Sequence, residues 1–145
     1  MTTKPLQYPL RENASETLTA ASGRRLADVT AESARAGELT MADLQISADT
    51  LRAQAEVARQ AGYPQQASNL IRAAELTAVP NAEVLRMYNT LRPGRATHAE
   101  LVALADLLEQ HYQAPECARM VREAAEVYRT RDLLLIYEDP KGFSR

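Results

Sequence analysis

Two histidines, one cysteine and a set of helix-borne glutamates are the residues of this sequence best equipped for chemistry. His98 and His111 have the side chain that ligates metals and moves protons near neutral pH. Cys117 is a nucleophile wherever a base stands beside it. Glu56, Glu75, Glu83 and Glu123 would do acid–base work as carboxylate pairs. Spacing argues against each of these uses. His98 and His111 fall in the first and last turns of one expected helix, and at about 1.5 Å per residue that puts them about 20 Å apart, too far to share a metal. Cys117 lies on an apolar stripe, the usual place of a small buried hydrophobe. The glutamates neighbour arginines: Glu75 follows Arg72, and Glu123 and Glu126 precede Arg129 and Arg131. That is the pattern of solvated, ion-paired helix faces. The five glycines stand singly, so there is no phosphate-cradling loop, and Gly23-Arg24-Arg25 is too short for a basic patch. No catalytic or metal site is expected in this chain.

Composition narrows the class further. The 145 residues suit one domain. Apolar residues make up 46% of the chain, but 26 of them are alanines, with one Phe and no Trp. Alanine-faced helices pack closely and bury little area per residue, so part of the stability is expected from a partner. The net charge of −2, with both signs interspersed, gives no footprint for nucleic acid. A single cysteine forms no internal disulfide and fits a reducing compartment. The apolar runs are far shorter than the roughly 20 residues that cross a bilayer as a helix. The first ten residues carry Lys4, Pro5 and Pro9 and resemble no signal peptide. A cytoplasmic protein without membrane contact is expected.

Start and stop signals set out the elements. Before residue 46 the chain is rich in Pro, Gly, Ser and Thr. A turn or two of helix is expected between Leu26 and Ala36, ending at Gly37, and another from Thr40 through Met41 to Leu44. From Ser47 the helical signal is strong. Ser47 or Asp49 caps a helix whose face is Leu51, Gln54, Ala55 and Ala58, and Gly62 stops it. Pro64 opens the next, with Ala67, Leu70, Ile71, Ala74 and Ala78 on one face. Pro80 opens a third, with Val84, Leu85, Tyr88 and Leu91 as its stripe, and Leu91-Arg92-Pro93-Gly94 breaks it. Thr97-His98-Ala99-Glu100 is a capping box ahead of Leu101, Leu104, Ala105 and Leu108. Pro115 opens the last helix, striped by Cys117, Met120, Val121, Ala124, Val127 and Tyr128. Tyr63, Tyr88, Tyr112, Tyr128 and Tyr137 each pair an apolar ring with a polar tip, which suits a core or a subunit interface. The expected fold is all-α: a single domain of about five main helices with an extended, loop-rich arm. The arm covers residues 1–46, the helical domain 47–136 and a flexible tail 137–145.

Several runs resemble one known family, in that family's order. Leu51-Arg52-Ala53-Gln54-Ala55-Glu56-Val57-Ala58 resembles its TLRxQAxIA helix. Arg72 to Pro80 resembles its RAAELTAVPD run, Tyr88 to Pro93 its YNALRP turn, Val121 to Tyr128 its VREAAEVY helix, and Tyr8-Pro9-Leu10 its N-terminal YPL. The family is the small (γ) subunit of adenosylcobalamin-dependent diol and glycerol dehydratases. Asn81 stands where the family usually has Asp, and Gly94 where a larger residue is frequent.

The resemblance implies a non-catalytic place in an (αβγ)₂ lyase complex that turns 1,2-propanediol into propanal, or glycerol into 3-hydroxypropanal. It implies large and medium subunits as partners, with the diol in the large subunit's barrel and the cobalamin bound by those other subunits. Some family members carry a longer N-terminal extension for packing into a bacterial microcompartment. This sequence starts almost at its YPL run, so a free enzyme is expected. The expected interface is Tyr8, Pro9 and Leu10 in the arm, with Tyr88, Asn89, Leu91, Arg92 and Pro93 at the helix turn. An arm with no core of its own orders against a neighbour, and Arg92 suits a carboxylate across the interface. The same residues also suit internal cap and turn roles. A free-standing helical adaptor stands as the alternative function.

Overall fold

A computed structural model describes residues 6–136. Over that range the chain is helical, without strands; Thr19 and Arg25 form an isolated antiparallel bridge. The residues gather into two compact units, one reaching to Ala78 and the other starting at Val79. The tail expected over 137–145 lies outside the described residues.

The first unit opens with short pieces: α1 (Leu10–Asn13), a 3₁₀ turn (Leu26–Asp28), α2 (Ala31–Arg35) and α3 (Met41–Leu44). Gly37 takes φ +71° just past α2, the left-handed stop expected there. Ser47 then caps α4 (Ala48–Gln60), its hydroxyl accepting from the Thr50 N–H. Gly62 ends the turn after α4 with φ +83°, and Pro64 is the first residue of α5 (Pro64–Leu76). Ala55 and Ala58 of α4 meet Ala67 of α5, with Leu70 and Ile71 packed around them. Two faces differ from the sequence expectation. Gln54 is exposed while Ala53 is buried, and α5 stops at Leu76, leaving Ala78 exposed. Ala53 is buried because the arm comes back over it: Leu10 and Ala14 pack on it, with Leu6, Leu18 and Val57 alongside. The arm therefore has an internal core to enter, contrary to expectation.

The second unit holds α6 (Asn81–Thr90), α7 (His98–Gln110) and α8 (Pro115–Thr130). With α4 and α5 these make the five long helices that periodicity predicts. The capping box forms as expected at α7: the Thr97 N–H donates to Glu100 Oε2 at 2.8 Å, and the Glu100 N–H to Thr97 Oγ1 at 3.3 Å. Helices α7 and α8 are the closely packed pair of this unit. Leu101, Leu104, Ala105 and Leu108 bury the expected α7 face. The α8 face is Cys117, Ala118, Val121 and Ala125. It is turned from the predicted stripe, so Met120 and Val127 lie partly outside. The larger correction is α6. Met87 is its buried residue, with Val84 and Leu91 half-buried on the same side, whereas Leu85 and Tyr88 are 66% and 63% exposed. A stripe Val84-Met87-Leu91 fits helical spacing as well as Val84-Leu85-Tyr88-Leu91 does, and Leu85 and Tyr88 lost the inside.

Ala105, Ala114 and Ala118 have no exposed surface at all. Extra carbon there has nowhere to go, and overpacking of this kind costs about 1–3 kcal/mol. Ala118→Leu is therefore expected to lower the unfolding free energy by about that much in chemical denaturation, while Ala99→Leu on the exposed face of α7 changes it by no more than about 0.5 kcal/mol.

Candidate functional site

The residues with chemical potential are spoken for by structural partners. His98, at the start of α7, pairs through Nε2 with Glu126 Oε1 of α8 at 2.9 Å. Glu126 also accepts from Arg129 at 2.6 Å. The His98 bond, then the Arg129 bond, hold the Glu126 carboxyl below its ordinary range. His111 caps the end of α7, exposed and edge-on to Tyr112. Cys117 is buried in the α8 face. Arg122 bridges helices, donating to Asp106 at 2.8 Å and Glu109 at 2.6 Å. Among the described residues no three His, Cys, Asp or Glu side chains are grouped to hold a metal, and no helix is long and apolar enough to cross a membrane.

What the second unit does build is a fixed outward turn. Tyr128 donates its phenol hydrogen to the Leu91 carbonyl at 2.6 Å. Beyond α8 the chain runs back along the same turn. The Gly94 N–H donates to the Leu133 carbonyl and the Leu135 N–H to the Ala96 carbonyl, both at 2.8 Å. Gly94 sits at φ +73°, a left-handed position where a side chain would be strained. The clamp leaves Arg92 and Pro93 exposed beside Tyr88 and Asn89 on the outer face of α6. Leu91 is half-buried and serves as the helix's C-cap. Of the eight residues expected at an interface, these five lie on one helix end.

The arm residues part company. Tyr8 is 79% exposed. The Pro9 carbonyl accepts from the Glu12 and Asn13 N–H groups and the Asn13 amide. Leu10 is spent on the internal cluster with Ala14 and Ala53. An internal anchor therefore sits directly behind an outward ring.

A second outward surface went unread in the sequence. Met41, Leu44 and Ile46 are 76%, 64% and 72% exposed, on and just after a helix of four residues. A helix that short has no stability of its own. It is held by the buried carboxylate of Asp43, which accepts from Ser22 Oγ at 2.5 Å, the Thr40 N–H at 2.7 Å, Thr40 Oγ1 at 2.9 Å and Arg24 Nε at 3.1 Å. Arg24 also donates to the Glu38 carbonyl at 2.9 Å. The Ser22 hydroxyl, then the Thr40 N–H, hold the Asp43 carboxyl far below the ordinary range, with Arg24 adding to them and desolvation opposing. Thr40 and Asp43 lie three apart, a capping spacing visible in the sequence. The Ser22 and Arg24 contacts span 21 and 19 residues and leave no local signal.

The dehydratase small-subunit model matches residues 3–135. The chain belongs to the dehydratase small-subunit family. It is 47% identical over 133 residues to the propanediol dehydratase small subunit of Citrobacter freundii, covering 92% of this chain and 77% of that one. It is 46% identical over 131 residues to the propanediol dehydratase small subunit of Salmonella typhimurium strain LT2, covering 90% and 76%. The motifs that carried the resemblance fall on α4, α5, α6 and α8 of this small subunit, apart from Tyr8-Pro9-Leu10, which leads into α1.

Two outcomes follow from this geometry. Tyr128→Phe keeps the ring and removes one hydrogen bond, so this small subunit is expected to lose about 1 kcal/mol of stability and to exchange its Gly94 amide hydrogen faster, read by hydrogen-exchange mass spectrometry. An aspartate in an unfolded chain titrates near 3.9, and Asp43 titrates lower when folded. Its stabilising effect is thus complete above about pH 4 and drains away as the pH falls toward the folded value. Asp43→Asn is expected to melt earlier at neutral pH and to show a flatter loss of stability below about pH 4, followed by circular dichroism.

Proposed function

We propose that this chain is the non-catalytic small subunit of an adenosylcobalamin-dependent diol dehydratase in the cytoplasm, assembled as (αβγ)₂ with large and medium subunits. The complex converts 1,2-propanediol to propanal, or glycerol to 3-hydroxypropanal, each with loss of water. The observation that carries the reading is the family match over residues 3–135, together with relatives named as propanediol dehydratase small subunits at 46% and 47% identity. Adenosylcobalamin, held by the other subunits, supplies the radical chemistry when bound. This chain's residues do not suit a seat for it: His98 is engaged by Glu126 and His111 stands exposed at a helix end.

The chain's task in this reading is mechanical. It keeps the large subunit in its competent shape by offering preformed surfaces. Tyr8 projects from an arm anchored by Leu10, and Tyr88, Asn89, Arg92 and Pro93 project from a clamped turn. Exposed Leu and Tyr on a rigid helix fit subunit contact, since tyrosine and arginine are the residues that most often anchor interfaces.

Co-expression with the large and medium subunits tests this. The three chains are expected to co-purify, and omitting this one should lower the yield of active complex. Tyr88→Ala is expected to weaken association by at least about 1 kcal/mol, measured by titrating the tagged chain into the other two subunits. A chain that remains alone in the presence of those subunits, or that turns over diol with adenosylcobalamin by itself, would overturn the proposal.

A further inference from the structure

Helices α6 and α7 leave a cleft between them, with a volume of about 330 Å³. It is lined by the apolar side chains of Ala96, Ala103, Leu104 and Leu107 and by the cations Arg86 and Arg95, with Thr90 and Glu100. A neighbouring hollow shares Arg86, Thr90 and Arg95 and runs out over Leu85 and Asn89. The cleft is thus continuous with the outer face of α6.

The charges around it are unequal. Arg86 is paired with Glu83 at 2.8 Å. Glu100, the carboxylate in the cleft's lining, is turned to the Thr97 N–H and hydroxyl, which hold its pKa down. Arg95 and Arg92 are exposed and form no ion pair among the described residues. The carboxylates here are committed within their own helices, and the cations outnumber them. Leucines and alanines beside so few cations are a poor match for a polyanion, which needs a row of cations and gains nothing from leucines. They match a carboxylate carried on an otherwise apolar stretch of protein, where guanidinium and carboxylate meet as a fork.

We propose that this cleft receives an apolar, carboxylate-bearing segment of a partner subunit, with Arg95 taking the carboxylate and Leu85 and Leu107 the apolar side chains. This rests on the small-subunit reading. It adds a receptor group, Arg95, that lies outside the turn residues already assigned to the interface, and it fixes the chemistry of what arrives.

The test uses the full chain titrated into co-expressed large and medium subunits at low and at high salt. Arg95→Glu is expected to weaken association about ten-fold or more at low salt, with the gap narrowing as salt rises. Arg95→Lys keeps the charge and is expected to keep most of the binding. Arg35→Glu, an exposed change in the other unit, should bind as the parent does. Circular dichroism of each variant separates a binding defect from misfolding. A photo-crosslinking residue at position 85 is expected to capture a peptide of another subunit that contains Asp or Glu among apolar residues. Parent-like binding by Arg95→Glu overturns the proposal. So does an equal loss with Arg35→Glu, or a crosslink to a second copy of this chain. If the unaltered chain itself fails to associate, the small-subunit reading falls instead.

Discussion

Alanine sets the terms for this molecule. In the first unit α4 and α5 touch through Ala55, Ala58 and Ala67, and in the second Ala105, Ala118 and Ala125 are among the buried residues of α7 and α8. Leu101 and Val121 are the largest fully buried side chains among the described residues. Burying a leucine in full contributes about 1.5–3 kcal/mol, and a methyl far less. Close approach raises packing density, but each residue contributes little. The large apolar side chains that would fill a conventional core are on the outside instead, at Tyr8, Met41, Leu44, Ile46, Leu85 and Tyr88.

Polar contacts then do what a thin core leaves undone. Asp43 gathers four donors and holds α3, a helix too short to stand alone. Tyr128 and the backbone after α8 do the same for the turn at 91–96. In both places a buried or half-buried polar group fixes backbone, and the fixed backbone holds exposed side chains in place: Met41 and Leu44 on α3, Arg92 and Pro93 at the turn. Surface ion pairs such as Arg119 with Glu116 and Glu123 contribute little beside these.

The sequence made most of the fold legible and only part of the surface. Helix starts were plain because they depend on one or two residues: Ser47, Pro64, Pro115 and the Thr97–Glu100 box. The face of α7 was plain because its inward residues are mostly leucines. The face of α6 was not, since Val84, Leu85, Met87, Tyr88 and Leu91 allow two stripes of nearly equal hydrophobicity, and only tertiary packing chooses Met87. Alanine faces such as Ala53 carry almost no hydrophobic signal of their own. The arm's internal docking was missed for the same reason, because the partner of Leu10 is an alanine. The Met41–Ile46 surface depends on contacts about twenty residues distant, which no local pattern encodes.

The clamp on the 91–96 turn also has a consequence in time. Its phenol bond joins residues 37 apart, and the backbone bonds that finish it come from Leu133 and Leu135. A ribosome makes the turn well before it makes the residues that lock it, and chains emerge at about 5–20 residues per second. For some seconds of synthesis the turn that follows α6 has sequence but not the bonds that lock it. A half-made polypeptide therefore lacks the bonds that hold this turn in its final form.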